Sequence, residues 1–205
     1  MNRKQVRIII IIVVLVAALV GYYAFLSGRN RDRSTEGKMT LIEKVLARDL
    51  NNDYPPTPKE VMIYYNDIQK CLYGSEVKEE EIDELGLKMR SLFDAELLEK
   101  NEQGNHLTLL RREVEEYKSS NRRLISSGTA SSTNVDYYTR DGYSFARLLC
   151  AYTISDNGVS TTQRMVFLLR KDDAKRWKIY GWDLEANVDM DGDGIPEGQE
   201  NEKLN

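Results

Sequence analysis

The chain has 205 residues and a net charge of -4, with 29 lysines and arginines against 33 acids and one histidine. Charge is segregated: residues 1–38 carry seven basic residues against two acids, 187–205 carry six acids against one lysine, and the stretch between is mixed. With no dense basic field on the part long enough to fold, nucleic acid is excluded as the expected partner, and the two cysteines match no metal-binding spacing.

Residues 8–26 form an uncharged run of nineteen, rich in Ile and Val and ending Tyr22, Tyr23, Ala24, Phe25, Leu26. At a rise of about 1.5 Å per residue, a helix of that length reaches roughly 28 Å, the hydrocarbon thickness of a bilayer. Tyr22 and Tyr23 suit the membrane–water interface. The run closes without a small-x-small pair and without a nearby cysteine, which favours an uncleaved transmembrane anchor over a removed signal. Arg3, Lys4 and Arg7 precede it while Arg29, Arg31 and Arg33 follow, so the charge rule for orientation barely discriminates. The expected layout is a cytoplasmic tail at 1–7, a transmembrane helix at 8–26, a polar linker at 27–38 and a domain outside the cytoplasm. The arginines beside the span are expected to contact lipid headgroups.

Residues 39–186 are enough for one domain with its own core. Thr40 and Glu43 read as a capping box, followed by Leu41, Val45, Leu46 and Leu50 at helical spacing. Thr57, Pro58, Lys59 and Glu60 open a second helix, whose apolar face is Val61, Tyr64, Ile68, Cys71 and Leu72 and which Gly74 ends. An acidic third helix at 78–90 places Ile82, Leu85 and Met89 on one side. A short fourth helix is expected from Ser91 to Lys100, and a further helical stretch at 107–119, of which Leu107 to Leu110 also reads as a short strand. Cys71 and Cys150 both fall at apolar-patterned positions and read as small buried hydrophobes, while an exported location leaves a disulfide between them open.

From residue 122 the pattern changes. Residues 122–132, 143–155, 159–171 and 176–185 are rich in β-branched and aromatic residues and read as strands. Asp156, Asn157 and Gly158 form a hairpin turn, because Asn and Gly tolerate positive φ. Asp172 to Lys175 makes a second tight connection. The expected class is α+β, helices packed on a curved four-stranded antiparallel sheet.

Helices first, then long strands closing on Trp177, Lys178, Ile179, Tyr180, Gly181 and Trp182, resemble the nuclear-transport-factor-2-like superfamily over about residues 39–186. That resemblance implies a cone-like fold, a sheet wrapped around helices. The whole layout also resembles small membrane-anchored envelope proteins of Gram-positive bacteria that carry such a domain. Members of the superfamily include enzymes, binding modules and scaffolds. The enzymes place His, Asp or Tyr inside the cone. Here the single histidine, His106, beside Gly104 and Asn105, reads as a surface loop residue, and no acid–base pair or nucleophile motif is found.

The ligand-pocket candidates are therefore aromatic: Tyr152, Tyr180 and Trp182, with Asp183 as a polar handle. Strict alternation on the last strand puts Lys178, Tyr180, Trp182 and Leu184 on one face, and Trp177, Ile179 and Asp183 on the other. Plain core packing is the competing reading of the same residues.

After Asn187 the chain fits a calcium-loop pattern, with Asp189, Asp191, Asp193, Glu197 and Glu200 as carboxylates, Gly194 at the turn and Ile195 offering a carbonyl. Pro196 and the Asp-Gly-Asp-Gly core resemble a thrombospondin type 3 repeat more than an EF-hand. A solvated acidic tail at 187–205 is the competing reading. The combined expectation is a non-enzymatic, single-pass membrane protein that binds a protein partner or small apolar ligand and, weakly, calcium. A structural scaffold resembling the inner-membrane parts of type IV secretion systems is the alternative. An isomerase- or dehydratase-like enzyme in the cone is the third.

Overall fold

The computed structural model describes residues 39–74 and 77–188. The apolar run at 8–26 and the calcium-loop pattern at 189–200 lie outside the described residues. Among the described residues, no helix is long and apolar enough to cross a membrane.

Among the described residues five helices come first: α1 (Leu41–Ala47), α2 (Pro58–Leu72), α3 (Glu79–Arg90), α4 (Ala95–Lys100) and α5 (Gln103–Ser119). Five strands follow: β1 (Arg122–Thr129), β2 (Asp136–Arg140), β3 (Tyr143–Asp156), β4 (Val159–Lys171) and β5 (Trp177–Leu184). The fold is α+β with an antiparallel sheet.

α2 starts where its residues dictate. The Thr57 hydroxyl oxygen accepts the Glu60 N–H at 3.2 Å and donates to the Glu60 carboxylate at 2.9 Å, with Pro58 at the first helical position. Two other starts differ from the sequence expectation. Ser91 does not open the fourth helix; its N–H bonds back to the Leu87 carbonyl at 3.1 Å and ends α3. Leu92 and Phe93 then run along β5, where the Ile179 N–H reaches the Leu92 carbonyl at 2.8 Å and the Asp94 N–H reaches the Ile179 carbonyl at 2.8 Å. Asp94 opens α4 instead, its carboxylate accepting the Glu96 N–H at 3.0 Å.

α5 starts earlier than residue 107. The Glu102 carboxylate accepts the N–H groups of Gly104 and Asn105 at 2.9 and 2.8 Å, meeting two donors that a helix start leaves free. His106 therefore lies in the first turns of a helix and not on a loop.

The sheet runs in the order β1-β3-β4-β5, all antiparallel, with β2 pairing β3 as well. Five strands stand where four were expected. The chain leaves β3 after Thr129, makes a short 3-10 turn at Ser132–Asn134, and rejoins β3 as β2. Asp141 and Gly142, with φ of 51° and 81°, then turn it into β3 just as Asn157 and Gly158, with φ of 50° and 86°, turn β3 into β4.

A bulge in β5 overturns the strict alternation. Leu168 pairs Gly181 and Leu169 pairs Ile179, which leaves Tyr180 as an extra residue. Trp182, paired with Phe167, thus shares a face with Ile179 and Trp177. Tyr180 joins the opposite face, beside Arg170 and Phe145. The expected common face of Tyr180 and Trp182 is corrected by this one residue.

Helices cover one sheet face. Leu148, Phe167, Leu169 and Ile179 meet Val61, Met62, Ile68, Leu72, Leu85 and Leu92 in one core, all at most 2% exposed. Burying each such side chain is worth about 1.5–3 kcal/mol. α3 and α5 approach closely at Gly86, where a Cβ would lie 2.6 Å from Leu107 Cδ2 and 2.8 Å from Leu110 Cδ2. Cys71 and Cys150 are buried free thiols, so the disulfide left open by the sequence is not formed. Burial pushes their pKa values up to about 12 and about 11.

Candidate functional site

Between α2, α5 and the covered sheet face lies a hollow of about 320 Å³. Helical spacing explains its helical walls. On α2 and its cap, Tyr65, Gln69 and Tyr73 recur every four residues, and on α5 His106, Leu110, Glu113 and Tyr117 recur every three or four. The sheet supplies Tyr152, Met165, Phe167 and Trp182, and the segment before α4 supplies Phe93.

The floor is aromatic. Phe167 stacks on Trp182 with ring centroids 5.8 Å apart, and Tyr65 meets Phe167 edge-on at 5.5 Å. Phe93 lies 5.9 Å from both Trp182 and His106. Tyr73 and Tyr117 pair at 4.6 Å. Trp182 remains 38% exposed, a large amount for an indole in such company.

The polar groups divide into committed and available. The Tyr152 hydroxyl donates to Asn66 Oδ1 at 2.7 Å, and Asn66 Nδ2 donates to Thr129 at 2.9 Å, so this network ties the sheet to α2. Gln69 Nε2 donates to the Tyr65 hydroxyl at 2.7 Å. His106 Nε2 is buried with no hydrogen-bond partner among the described residues. Burial, helped by the charge of Arg90, holds the His106 pKa below the usual imidazole value, which keeps the ring neutral. Burial, then the neighbouring Glu113 carboxylate, raises the Tyr73 and Tyr117 hydroxyls above the ordinary phenol range.

Of the four residues singled out by sequence, Tyr152 and Trp182 line this hollow. Tyr180 does not; it lines a second hollow of about 330 Å³ on the other sheet face, with Arg170, Tyr143, Phe145 and Glu96. Asp183 serves the chain itself, its carboxylate accepting the Leu184 N–H at 2.6 Å and the Asn187 side-chain amide at 2.9 Å. His106, Glu113, Tyr73 and Phe93 were not expected here. The signal for the first two was the spacing His106, Leu110, Glu113, Tyr117, masked by a helix start that rests on a glutamate cap. Tyr73 continues the spacing of Tyr65 and Gln69 onto the cap of α2, whereas Phe93 had no such signal, because it lies in the joint between α3 and α4.

The second hollow centres on Arg170. Its guanidinium bonds Asp94 at 2.5 and 3.0 Å and Glu96 at 2.6 Å, while lying 4.9 Å over the Tyr143 ring and 4.7 Å over the Tyr180 ring. Burial disfavours its charge, yet the bonds to Asp94 and Glu96 outweigh that and hold it protonated. With those donors satisfied, this arrangement docks α4 on the sheet and leaves little for a ligand.

Among the described residues no group of three or more His, Cys, Asp or Glu side chains is placed to hold a metal ion. The model of a family described as a domain of unknown function (DUF6715) matches residues 1–182. No curated protein matches the chain.

Proposed function

The chain belongs to the DUF6715 family, and from that premise we propose that it is a single-pass, membrane-anchored protein whose extracytoplasmic domain binds a small ligand or protein partner. The hollow of about 320 Å³, floored by aromatic rings and holding an unpartnered imidazole nitrogen, is the observation that carries the binding reading. The anchor rests on the uncharged run at 8–26. Helices laid on one face of an antiparallel sheet, with a hollow between the layers, support a nuclear-transport-factor-2-like, cone-shaped fold. The carboxylate spacing from Asp189 to Glu200 supports a weak calcium site, on the residue pattern alone.

The second reading is a scaffold of an envelope or secretion-type assembly. It draws on the opposite sheet face, where Tyr143 is 50% exposed beside the stacked rings of Tyr138 and Phe145.

The chain has two tryptophans, so fluorotryptophan labelling yields two fluorine resonances, assigned with a Trp182→Phe variant. Screened with neutral apolar fragments in lipid nanodiscs, the full chain is expected to shift the Trp182 resonance while the Trp177 resonance, from a ring only 7% exposed, stays in place. A Trp182 signal unmoved across the library would sink the binding reading and leave the scaffold ahead. A reporter active only outside the cytoplasm, fused after Asn205, is expected to be active; silence in a stable fusion would sink the orientation.

A further inference from the structure

The walls of the first hollow are chemically one-sided. Glu113 is the sole carboxylate among the described lining residues, no lysine or arginine joins it, and the one imidazole, His106, is held neutral. Two guanidinium groups have other partners: Arg90 donates to the Asn101 carbonyl at 2.7 Å, and Arg122 pairs with Asp156 at 2.9 Å while lying 5.4 Å over the Tyr117 ring, where its charge opposes that of Glu113. The remaining lining is aromatic and aliphatic in nearly equal parts, and the ring faces carry partial negative charge.

Resting on the ligand-binding reading, we infer that this hollow selects a small organic cation with an aromatic body, its ammonium head at Glu113 and its ring against Trp182 and Phe167. The hydroxyls around Glu113 report the same field. Its charge contributes to raising the pKa of Tyr65, Tyr73 and Tyr117, after the effect of burial. Burial disfavours any charge, but the part of the effect that comes from Glu113 favours a cation and repels a second carboxylate. His106 lies two helical turns before Glu113 on the same face of α5, roughly 10 Å away, and offers its unpartnered nitrogen to a polar group at the far end of the ligand.

Phenylbutylamine, phenylbutanol and phenylbutyrate share one skeleton and differ in head-group charge. Each is titrated into the full chain in zwitterionic nanodiscs, followed by the Trp182 fluorine resonance and referenced to empty nanodiscs. The ammonium compound is expected to bind about fivefold tighter than the alcohol, as suits a partly exposed charge pair, with the carboxylate weakest. Glu113→Gln is expected to remove the preference for the amine while moving the alcohol affinity by less than about twofold. Equal or tighter binding of the carboxylate, or an amine preference that survives Glu113→Gln, would overturn the inference and leave the binding reading standing. No response of Trp182 to any of the three would overturn both.

Discussion

His106 is the one histidine in the chain, and its Nε2 is buried without a partner among the described residues. The fold holds the ring neutral, because burial and then the Arg90 charge depress its pKa from the usual imidazole value of 6.5. A group depressed in the folded state binds fewer protons there than in the unfolded chain. Its stabilising contribution is therefore complete above the unfolded value and is lost as pH falls through the folded one. An NMR titration of the single imidazole is expected to give a midpoint below 6.5. Denaturant midpoints are expected to fall from about pH 7 to about pH 5, with part of that fall removed in His106→Gln. An imidazole midpoint at or above the unperturbed value would place the ring in solvent and empty the hollow of its polar anchor.

At the scale of elements, the docking of α4 depends on one arginine. Arg170 and Asp94 are 13% and 4% exposed and are joined by two hydrogen bonds, so neither charge is well served by water. Removing one partner of such a pair strands the other, at a cost of about 3–5 kcal/mol. Arg170→Met is expected to lose that much in urea unfolding, and to loosen α4 in hydrogen exchange before the rest of the domain. A loss below about 1 kcal/mol would mean that water reaches Asp94 and that α4 is held by Leu97 and Leu98 packing on the core instead. The residues of this joint were visible in the sequence, but the helix start was not. Ser91 and Asp94 are both good caps, and only the pairing of Leu92 with β5 decides between them.

For the whole molecule, the folded domain and the acidic loop are expected to act independently. Calcium at about 10⁻⁴ to 10⁻³ M, the range of weak extracellular modules, is expected to shift resonances from Asp189 to Glu200. The Trp182 resonance is expected to stay in place, and Asp189→Ala/Asp193→Ala to abolish the response. Saturation below micromolar calcium would contradict the predicted weakness. An equal response in both proteins would reduce the loop to a solvated acidic segment.

The sequence alone determined the α+β class, the amphipathic faces of α2 and α3 and the Asn157-Gly158 hairpin, since each depends on neighbours a few residues apart. Propensity, periodicity and turn chemistry act over that range. Even β2 was within reach, because Asp141-Gly142 carries the same turn signal. The composition of the hollow was not. One extra residue in β5, Tyr180, moves Trp182 to the face of Phe167 and sends Tyr180 to the face of Arg170. Alternation cannot foresee it, because a bulge exists only in the pairing with β4. The meeting of Glu113 and His106 on α5 with Tyr65 on α2 and Trp182 on β5 is likewise a tertiary fact. Those residues span more than a hundred positions of chain, and only the packing of helices onto the sheet brings them to one space.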